Sequence, residues 1–281
     1  MNRKRSHRTA QPASTPLGAT ALIETLLGGW RPLARLDADG FAILRSRGVT
    51  RRANSIVPID PPRDPRVLSA ALDRVTSLAG ATGDPVLVRV LPENGHGPVD
   101  AALADRGFTV EAPCDILERA PGQTSPVPDP RARIRTGPLP EDWFDAAWRL
   151  APRDGDGARE TLHDILAGTP AVHVAIDAED DERDGVDGRG IRPESTIAVG
   201  RAALVARGRT RTAVLNEIAV DPDRRRTGLG TAIVSTLLAA ASVQGAERDL
   251  LEVEVENPAA AALYERTGFR RIGGYHYRVG A

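Results

Sequence analysis

The chain has 281 residues, of which 41% are hydrophobic, so it is long enough for two domains of ordinary size, each with its own core. Its 37 basic and 38 acidic side chains leave a net charge of −1, which gives no overall field to attract nucleic acid or an anionic membrane. We therefore expect small-molecule or protein partners.

Two residue types restrict the chemistry further. Lys4 is the only lysine, so a P-loop or Schiff-base lysine inside a folded domain is excluded. Cys114 is the only cysteine, and the five histidines show no ligand spacing, so the sequence predicts no internal disulfide and no metal site. No run of residues has the length and apolarity of a membrane helix or a signal core, which predicts a cytoplasmic protein.

Two polar, proline-containing segments suggest how the chain is divided. Residues 1–16 lack the apolar content to bury a core and are predicted to be a disordered tail. Residues 121–130 contain four prolines, which remove amide donors and favour extended backbone. We therefore predict an N-terminal domain at 17–120, a linker at 121–130 and a second domain at 131–281.

Hydrophobic periodicity in the second domain predicts six strands and four helices. In chain order we expect a strand at 131–135, helices at 140–150 and 159–167, strands at 171–176, 196–205 and 212–220, a helix at 229–243, a strand at 250–255, a helix at 259–266 and a strand at 275–279. The pair at 196–220 suits an antiparallel hairpin with a longer turn over residues 206–211. Residues 178–192 are charged, glycine-rich and without periodicity, and are predicted to be a mobile loop.

The turn before the long helix of this domain has the composition of a phosphate-binding site. Gly228 and Gly230 leave backbone N–H groups unshielded, and the first helical turn adds unpaired donors and a partial positive charge. Arg225 and Arg226 would supply the cationic partners. The turn is not of the Rossmann type, because Ile233 replaces the third glycine, and no lysine follows as in a P-loop.

The next predicted helix has capping residues at both ends. Asn257 is a good N-cap, Pro258 suits the first helical position, and Gly268 can close the helix in a left-handed conformation. Tyr264 lies two turns after Asn257 beside an alanine-rich face. Two interpretations stay open for Tyr264, a hydroxyl directed at a ligand or a core residue of an amphipathic helix.

Together these features resemble the Gcn5-related N-acetyltransferase (GNAT) superfamily. The resemblance rests on the strand end at 216–222, the turn at 225–231, the segment 257–264 and the pair Gly268-Phe269, and it covers roughly residues 131–281. It implies an α/β (α+β) fold with a mixed central sheet flanked by helices, and acetyl-CoA as cosubstrate. Thr227 departs from the glycine or arginine common at its position but still offers an amide and a hydroxyl.

The same resemblance implies which residues hold acetyl-CoA. It places the pyrophosphate on the turn formed by Arg225, Arg226, Thr227, Gly228, Leu229, Gly230 and Thr231. It pairs the pantetheine with the strand residues Ile218, Ala219 and Val220. Asn257 is expected to touch the cofactor as well.

Aminolysis of a thioester needs an uncharged amine, a stabilised oxyanion and a proton for the departing thiolate. Glu217 lies in an otherwise apolar strand, where an ionised carboxylate is costly unless used or paired, so we expect it to be the general base. The alternative is an ion pair with an arginine of the preceding hairpin, at position 201, 207, 209 or 211. Tyr264 matches the superfamily's frequent general acid, and a backbone amide near Val220 would polarise the carbonyl.

The N-terminal half repeats part of the sequence pattern of the second domain. Residues 86–108 repeat the pattern of residues 250–269, which indicates an internal repeat, although common residue types could produce such an echo by chance. Ala104 replaces the tyrosine, and no counterpart of the glycine turn precedes it. We therefore expect tandem GNAT-like folds in which the N-terminal copy is degenerate, binds no cofactor and shapes the acceptor site.

The acceptor is suggested only by a second resemblance. The segment 48–55 and the two-part layout resemble an actinobacterial group of GNAT proteins that includes N-acetylglutamate synthases. This implies a small amino-acid-like acceptor, with glutamate as the best single guess, and a role in amino-acid biosynthesis. Arg51 and Arg52 could bind the acceptor carboxylate, or they could be solvated surface residues. A protein or peptide N-acetyltransferase and a non-catalytic acyl-CoA sensor stay open as alternatives.

Overall fold

A computed structural model describes residues 17–81, 83–178 and 195–280. Within these residues the helices are α1 (Ala19–Gly29), α2 (Pro65–Gly80), α3 (Gly97–Ala104), α4 (Glu141–Leu150), α5 (Ala158–Ala167), α6 (Leu229–Val243) and α7 (Pro258–Arg266). The strands are β1 (Ala34–Ala38), β2 (Phe41–Arg45), β3 (Ile56–Pro58), β4 (Val86–Val90), β5 (Thr109–Arg119), β6 (Arg133–Gly137), β7 (Ala171–Asp177), β8 (Thr196–Arg207), β9 (Thr210–Val220), β10 (Arg248–Glu254) and β11 (Arg270–Gly280). The predicted tail and nearly all of the predicted loop at 178–192 lie outside the described residues.

The strands of the described residues form one sheet in the order β1-β2-β3-β4-β11-β5-β10-β9-β8-β7-β6. The pairs β3–β4 and β9–β10 are parallel and the others are antiparallel, so the predicted mixed sheet is confirmed. The centre of the sheet is unusual because β5 lies between β10 and β11, while β11 pairs with β4. Each half of the chain thus places its last strand among the strands of the other half. The strand pairing joins residues on both sides of the predicted linker at 121–130. The division of the chain into two domains at this linker stays a prediction.

The two halves repeat the same order of elements. In the first half β3, α2, β4, α3 and β5 follow one another, and in the second half β9, α6, β10, α7 and β11 do so. The strands on either side of the long helix are parallel neighbours in both cases. This common order supports the internal repeat.

Helices cover both faces of the second half of the sheet. On one face Ile233 and Leu237 of α6 pack on alternate residues of β7, which include Val174. On the other face Trp143 and Phe144 of α4 lie with α5 in a separate core. The predicted layering of helices against a sheet is therefore present. Successive side chains of a strand point to opposite faces of the sheet, so each strand contributes to the cores on both sides.

Helix α1 of the first half packs directly on the second half. It ends in Gly28 and Gly29 against β8 and β9, where a Cβ on Gly29 would lie 2.5 Å from Val214 and one on Gly28 would lie 2.8 Å from Val205. Only residues without a side chain allow this approach. The close contact fixes α1 and the residues after it against the strand that carries Glu217.

The hairpin β8–β9 differs from the expectation of a longer turn. Ala206 pairs with Arg211 and Arg207 with Thr210, so the turn contains two residues and the prediction was wrong. Gly208 adopts a φ of +60°, which a two-residue hairpin turn requires and glycine provides without strain. The glycine in the turn was the signal for the shorter connection.

The strand exchange predicts that the second half cannot fold alone. A fragment of residues 131–281 lacks β5 and exposes unpaired edges on β10 and β11, which favours aggregation. We expect this fragment to show no cooperative thermal transition, whereas coexpression with residues 1–130 should give a soluble complex that copurifies through a tag on either fragment. Cooperative melting of the 131–281 fragment at the temperature of the intact chain would contradict this.

Candidate functional site

Strand β9 separates from β10 halfway along its length. The parallel pairing joins Thr212–Leu215 to Arg248–Leu251 and ends there. On the other side β9 contains a bulge, because Arg201 lies opposite Asn216 and Val199 lies opposite Ala219. The last residues of β9 therefore present backbone groups that β10 does not bind.

The bulge is the most strained part of this strand. Glu217 adopts a φ of +49°, a region that residues with a side chain rarely occupy. Opposite it lies Gly200, where an added Cβ would collide with Ile233 of α6. The glycine allows the helix to approach the bulge. The predicted pantetheine residues Ile218, Ala219 and Val220 follow directly on the open edge, and their role stays a prediction.

The turn before α6 keeps its amides available. Gly228 is the N-cap with a φ of +89°, and no side chain caps the helix start. The first helical hydrogen bond within the chain runs from the amide of Ala232 to the carbonyl of Gly228, which leaves the amides of the first turn free of helical partners. The side chains of Arg225, Arg226 and Thr227 are exposed around it. This arrangement suits a pyrophosphate group.

The corresponding helix of the first half is closed to an anion. Asp64 caps α2 by accepting hydrogen bonds from the amides of Arg66 and Val67, both at 3.0 Å. Pro65 occupies the first helical position and has no amide proton. A carboxylate thus fills the place where a phosphate would bind, which supports the expectation that this half holds no cofactor. The sequence signal was the pair Asp64-Pro65.

The start of α7 behaves as expected. Asn257 is the N-cap, and its side-chain oxygen accepts a hydrogen bond of 3.1 Å from the amide of Ala260. Tyr264 is buried, and its ring meets that of Phe269 edge to face. Burial raises the pKa of Tyr264 to about 12, with a smaller opposing effect of Arg52. The phenol is therefore protonated at neutral pH and can donate a proton.

A cavity of about 420 Å³ lies where the two halves meet. The first half contributes Thr50, Arg51, Arg52, Ala112 and Cys114, and the second half contributes Arg153, Glu252, Val253, Glu254, Asn257, Ala260, Tyr264, Tyr275 and Tyr277. Its size is that of a pocket for a small molecule. The predicted acid Tyr264 and the two predicted acceptor-binding arginines therefore border the same space.

An ion network lies at the inner wall of this cavity. Arg52 stacks on the ring of Trp30 at 4.2 Å and donates to Glu252 at 3.3 Å. Arg89 also donates to Glu252 and lies 4.1 Å over the ring of Tyr275. The Glu252 side chain is only 3% exposed, so two arginines of the first half stabilise a buried carboxylate of the second.

The two arginines predicted to bind the acceptor differ in their environment. Arg51 is half-exposed and lies 3.4 Å from Glu111, so it belongs to the rim. Arg52 is more buried and faces Glu252. Of the two, Arg52 is the less exposed, and its binding role stays a prediction.

Glu217 has a partner that the sequence did not reveal. Its carboxylate accepts a hydrogen bond of 2.8 Å from Arg153, which follows α4, rather than from an arginine of the hairpin. Arg201 instead donates to the side chain of Asn216 and to the carbonyls of Gly29, Leu166 and Thr169. Arg153 belongs to no motif, and no sequence signal could have identified it.

Residues 141–269 match the model of the acetyltransferase (GNAT) family. The chain is 28% identical over 180 residues to the mycothiol acetyltransferase of Clavibacter michiganensis, which covers 63% of this chain and 45% of that protein. It is 47% identical over 57 residues to the ribosomal protein bS18-alanine N-acetyltransferase of Escherichia coli K12, which covers 20% of this chain and 38% of that enzyme. The chain thus spans less than half the length of these curated relatives.

A solved tandem GNAT protein from the clavulanic acid biosynthesis pathway has the same overall fold. It aligns with a TM-score of 0.62 and 12% identity, over 97% of this chain and 90% of its own. Residues 141–269 are therefore similar to the acetyltransferase (GNAT) family, and the expected GNAT-like fold is confirmed. The narrower likeness to N-acetylglutamate synthases stays a prediction. Within the described residues, no helix combines the length and apolarity needed to cross a membrane.

The glycine turn allows a controlled test of cofactor binding. Gly228 and Gly208 both have positive φ and open space where a Cβ would lie, so valine at either position should cost a similar amount, about 1–2 kcal/mol, in the free energy of unfolding. Only Gly228→Val places a branched side chain at the predicted phosphate site. We expect it to weaken acetyl-CoA binding about tenfold or more in calorimetry, with Gly208→Val unchanged; equal affinities of the two variants would argue against the site.

Proposed function

We propose that the protein is an acetyl-CoA-dependent N-acetyltransferase whose acceptor is a small amine that carries an anionic group. The observation that supports this most is the cavity at the junction of the halves, where Tyr264 of the second half faces Arg52 of the first. The uncapped start of α6 belongs to the segment 141–269 that matches the family model.

The proposed cosubstrate fits the described residues. Acetyl-CoA supplies the acetyl group as an activated thioester. The uncapped start of α6 offers amides for the pyrophosphate, together with the residues from Arg225 to Thr231. The free edge of β9 from Ile218 to Val220 offers backbone groups to the pantetheine, and Asn257 lies at the start of α7 on the cavity wall.

Two residues are proposed to move protons. Glu217 accepts the proton of the attacking amine, because its carboxylate lies on the strained bulge next to the open edge. Tyr264 donates its proton to the departing thiolate, for which its raised pKa keeps it protonated. Both groups belong to the second half.

Charge favours an anionic acceptor. Three arginines, Arg52, Arg89 and Arg153, are paired with only two carboxylates, Glu217 and Glu252, around the inner wall. Arg52 and Arg89 share Glu252, so a carboxylate of the acceptor can give a second anionic partner to Arg52, which lines the cavity. The relatives are named for mycothiol and for a ribosomal protein and give glutamate no support. The proposal is therefore the chemical class, with glutamate as one compound to test.

A peptide acceptor is the second candidate, because one relative is named for acetylating the alanine of a ribosomal protein. Thr50, Arg51 and Arg52 of the first half line one side of the cavity. They leave less room for a peptide than an open groove would. A non-catalytic sensor would bind acetyl-CoA without turnover.

Release of coenzyme A thiol in the presence of different amines tests the proposal. The panel contains acidic and neutral amino acids, the amides of their α-carboxyl groups, peptides with an N-terminal alanine, and simple amines. We expect kcat/KM to be at least tenfold higher for an amino acid than for its amide. Preference for peptides would favour the second candidate, and cofactor binding without any thiol release would identify a sensor and overturn the proposal.

The role of Tyr264 has a matched control in the same cavity. Removing the hydroxyl in Tyr264→Phe removes the proton donor and should lower kcat about 100-fold with little change in the KM for acetyl-CoA. Tyr277→Phe removes another buried hydroxyl that lines the cavity and should change kcat far less. Because the pKa of Tyr264 is raised, activity of the unaltered protein should not fall through tyrosine ionisation below about pH 10. Full activity of Tyr264→Phe would refute the role.

A further inference from the structure

We propose that Arg153 couples acceptor binding to the release of the base: it pairs with Glu217 before the acceptor enters and moves to the acceptor's anionic group afterwards. This inference rests on the proposed function and gives Arg153 the role of a positioning and specificity residue. It concerns a residue that neither the motifs nor the family resemblance points to.

The side chains of Arg153 and Glu217 differ in their access to the cavity. Glu217 is 2% exposed and Arg153 is 32% exposed, although their Oε1 and Nη2 atoms lie only 2.8 Å apart. Arg153 also lines the cavity, whereas Glu217 is not among the lining residues. The guanidinium, and not the carboxylate, therefore faces an arriving acceptor.

A carboxylate that accepts a proton needs a free lone pair. An oxygen that already accepts a charge-assisted hydrogen bond has its lone pair engaged, and an arginine beside it repels a cationic amine. Glu217 can take the proton of the amine only after the guanidinium moves away. A buried carboxylate without a partner is costly, and accepting a proton removes that cost. Departure of Arg153 therefore makes proton transfer to Glu217 favourable.

The segment that carries Arg153 leaves its guanidinium free to turn. The segment between α4 and α5 forms neither helix nor strand, and Gly155 and Gly157 have positive φ with no atoms within 4 Å of the position that a Cβ would take. The other hydrogen bonds of Arg153 run to the carbonyls of Ala151 at 2.6 Å and Pro152 at 3.4 Å. Those partners belong to its own segment, so the guanidinium can turn while the rest of the fold stays in place.

The guanidinium of Arg153 can move to an acceptor carboxylate bound beside Arg52. Arg52 lines the same cavity and its described ion pair is with Glu252, through one guanidinium nitrogen at 3.3 Å. A carboxylate of the acceptor that lies between Arg52 and Arg153 would receive hydrogen bonds from both. Such two-sided binding fixes the amine of the same molecule relative to Glu217.

The transfer step then balances. The amine nitrogen forms a bond to the acetyl carbon as the bond from that carbon to sulfur breaks. A cationic amine first releases one proton to solvent, because only the uncharged amine can attack. Its nitrogen then loses a second proton to Glu217 as the amide forms, and Tyr264 gives its proton to the thiolate. When the acetylated product leaves with its anionic group, Glu217 returns its proton to solvent and pairs again with Arg153, and Tyr264 regains a proton.

The test compares an amino acid with its C-terminal amide on the unaltered protein and three variants. Arg153→Gln removes the charge, Arg153→Lys restores it, and Arg159→Gln removes an arginine whose described ion pair is with Asp145, outside the cavity lining. Thiol release gives kcat/KM for each acceptor, and the ratio of the two values is the acceptor preference. Calorimetric binding of acetyl-CoA shows that each variant is folded.

For Arg153→Gln we expect the preference for the amino acid to fall at least tenfold, because only the acceptor that carries the carboxylate loses an ion pair with Arg153. Arg153→Lys should recover part of the preference, and Arg159→Gln should keep all of it. An equal loss on both acceptors, or an unchanged preference, would overturn the inference. Absence of thiol release by the unaltered protein on every amine would instead refute the proposed function, so the two failures are distinguishable.

Discussion

The exchange of last strands is the constraint on which the rest of the structure depends. Because β5 lies between β10 and β11, the two halves share the centre of one sheet and cannot move apart as separate domains. The same exchange brings Ala112 and Cys114 of β5 to the cavity beside Tyr264. The buried network around Glu252 then joins the halves through charge as well as through backbone hydrogen bonds. The proposed acceptor site therefore lies at the junction between the two copies.

The two copies differ most clearly at the start of their long helices. Gly228 leaves the amides of α6 open, whereas Asp64 satisfies those of α2 with its own carboxylate. A single acidic cap makes a helix start more stable and at the same time unfit for phosphate. The first copy has thus kept the architecture, and some of its side chains line the cavity of the proposed acceptor site.

Local patterns predicted most of the secondary structure of the second half. The apolar period of α6 gave its bounds at Leu229 and Val243, and the cap residue Asn257 marked the start of α7, because both signals depend only on neighbouring residues. The position of β5 could not be predicted, since its partners lie far away in the sequence. Arg153 was missed for the same reason: its contact with Glu217 spans 64 residues and belongs to an irregular segment. Strand alternation alone also gives no sign of the bulge at Glu217.

The shared sheet centre has a consequence for how the chain matures during synthesis. Strand β5 is complete after Arg119, but its neighbours β10 and β11 leave the ribosome only after most of the second half has been translated. Until then the nascent first half carries a long strand with both edges unpaired, and pairing over such separations is slow. Chaperone dependence in the cell is therefore expected to respond to the translation rate of the second half more than to the stability of the finished protein.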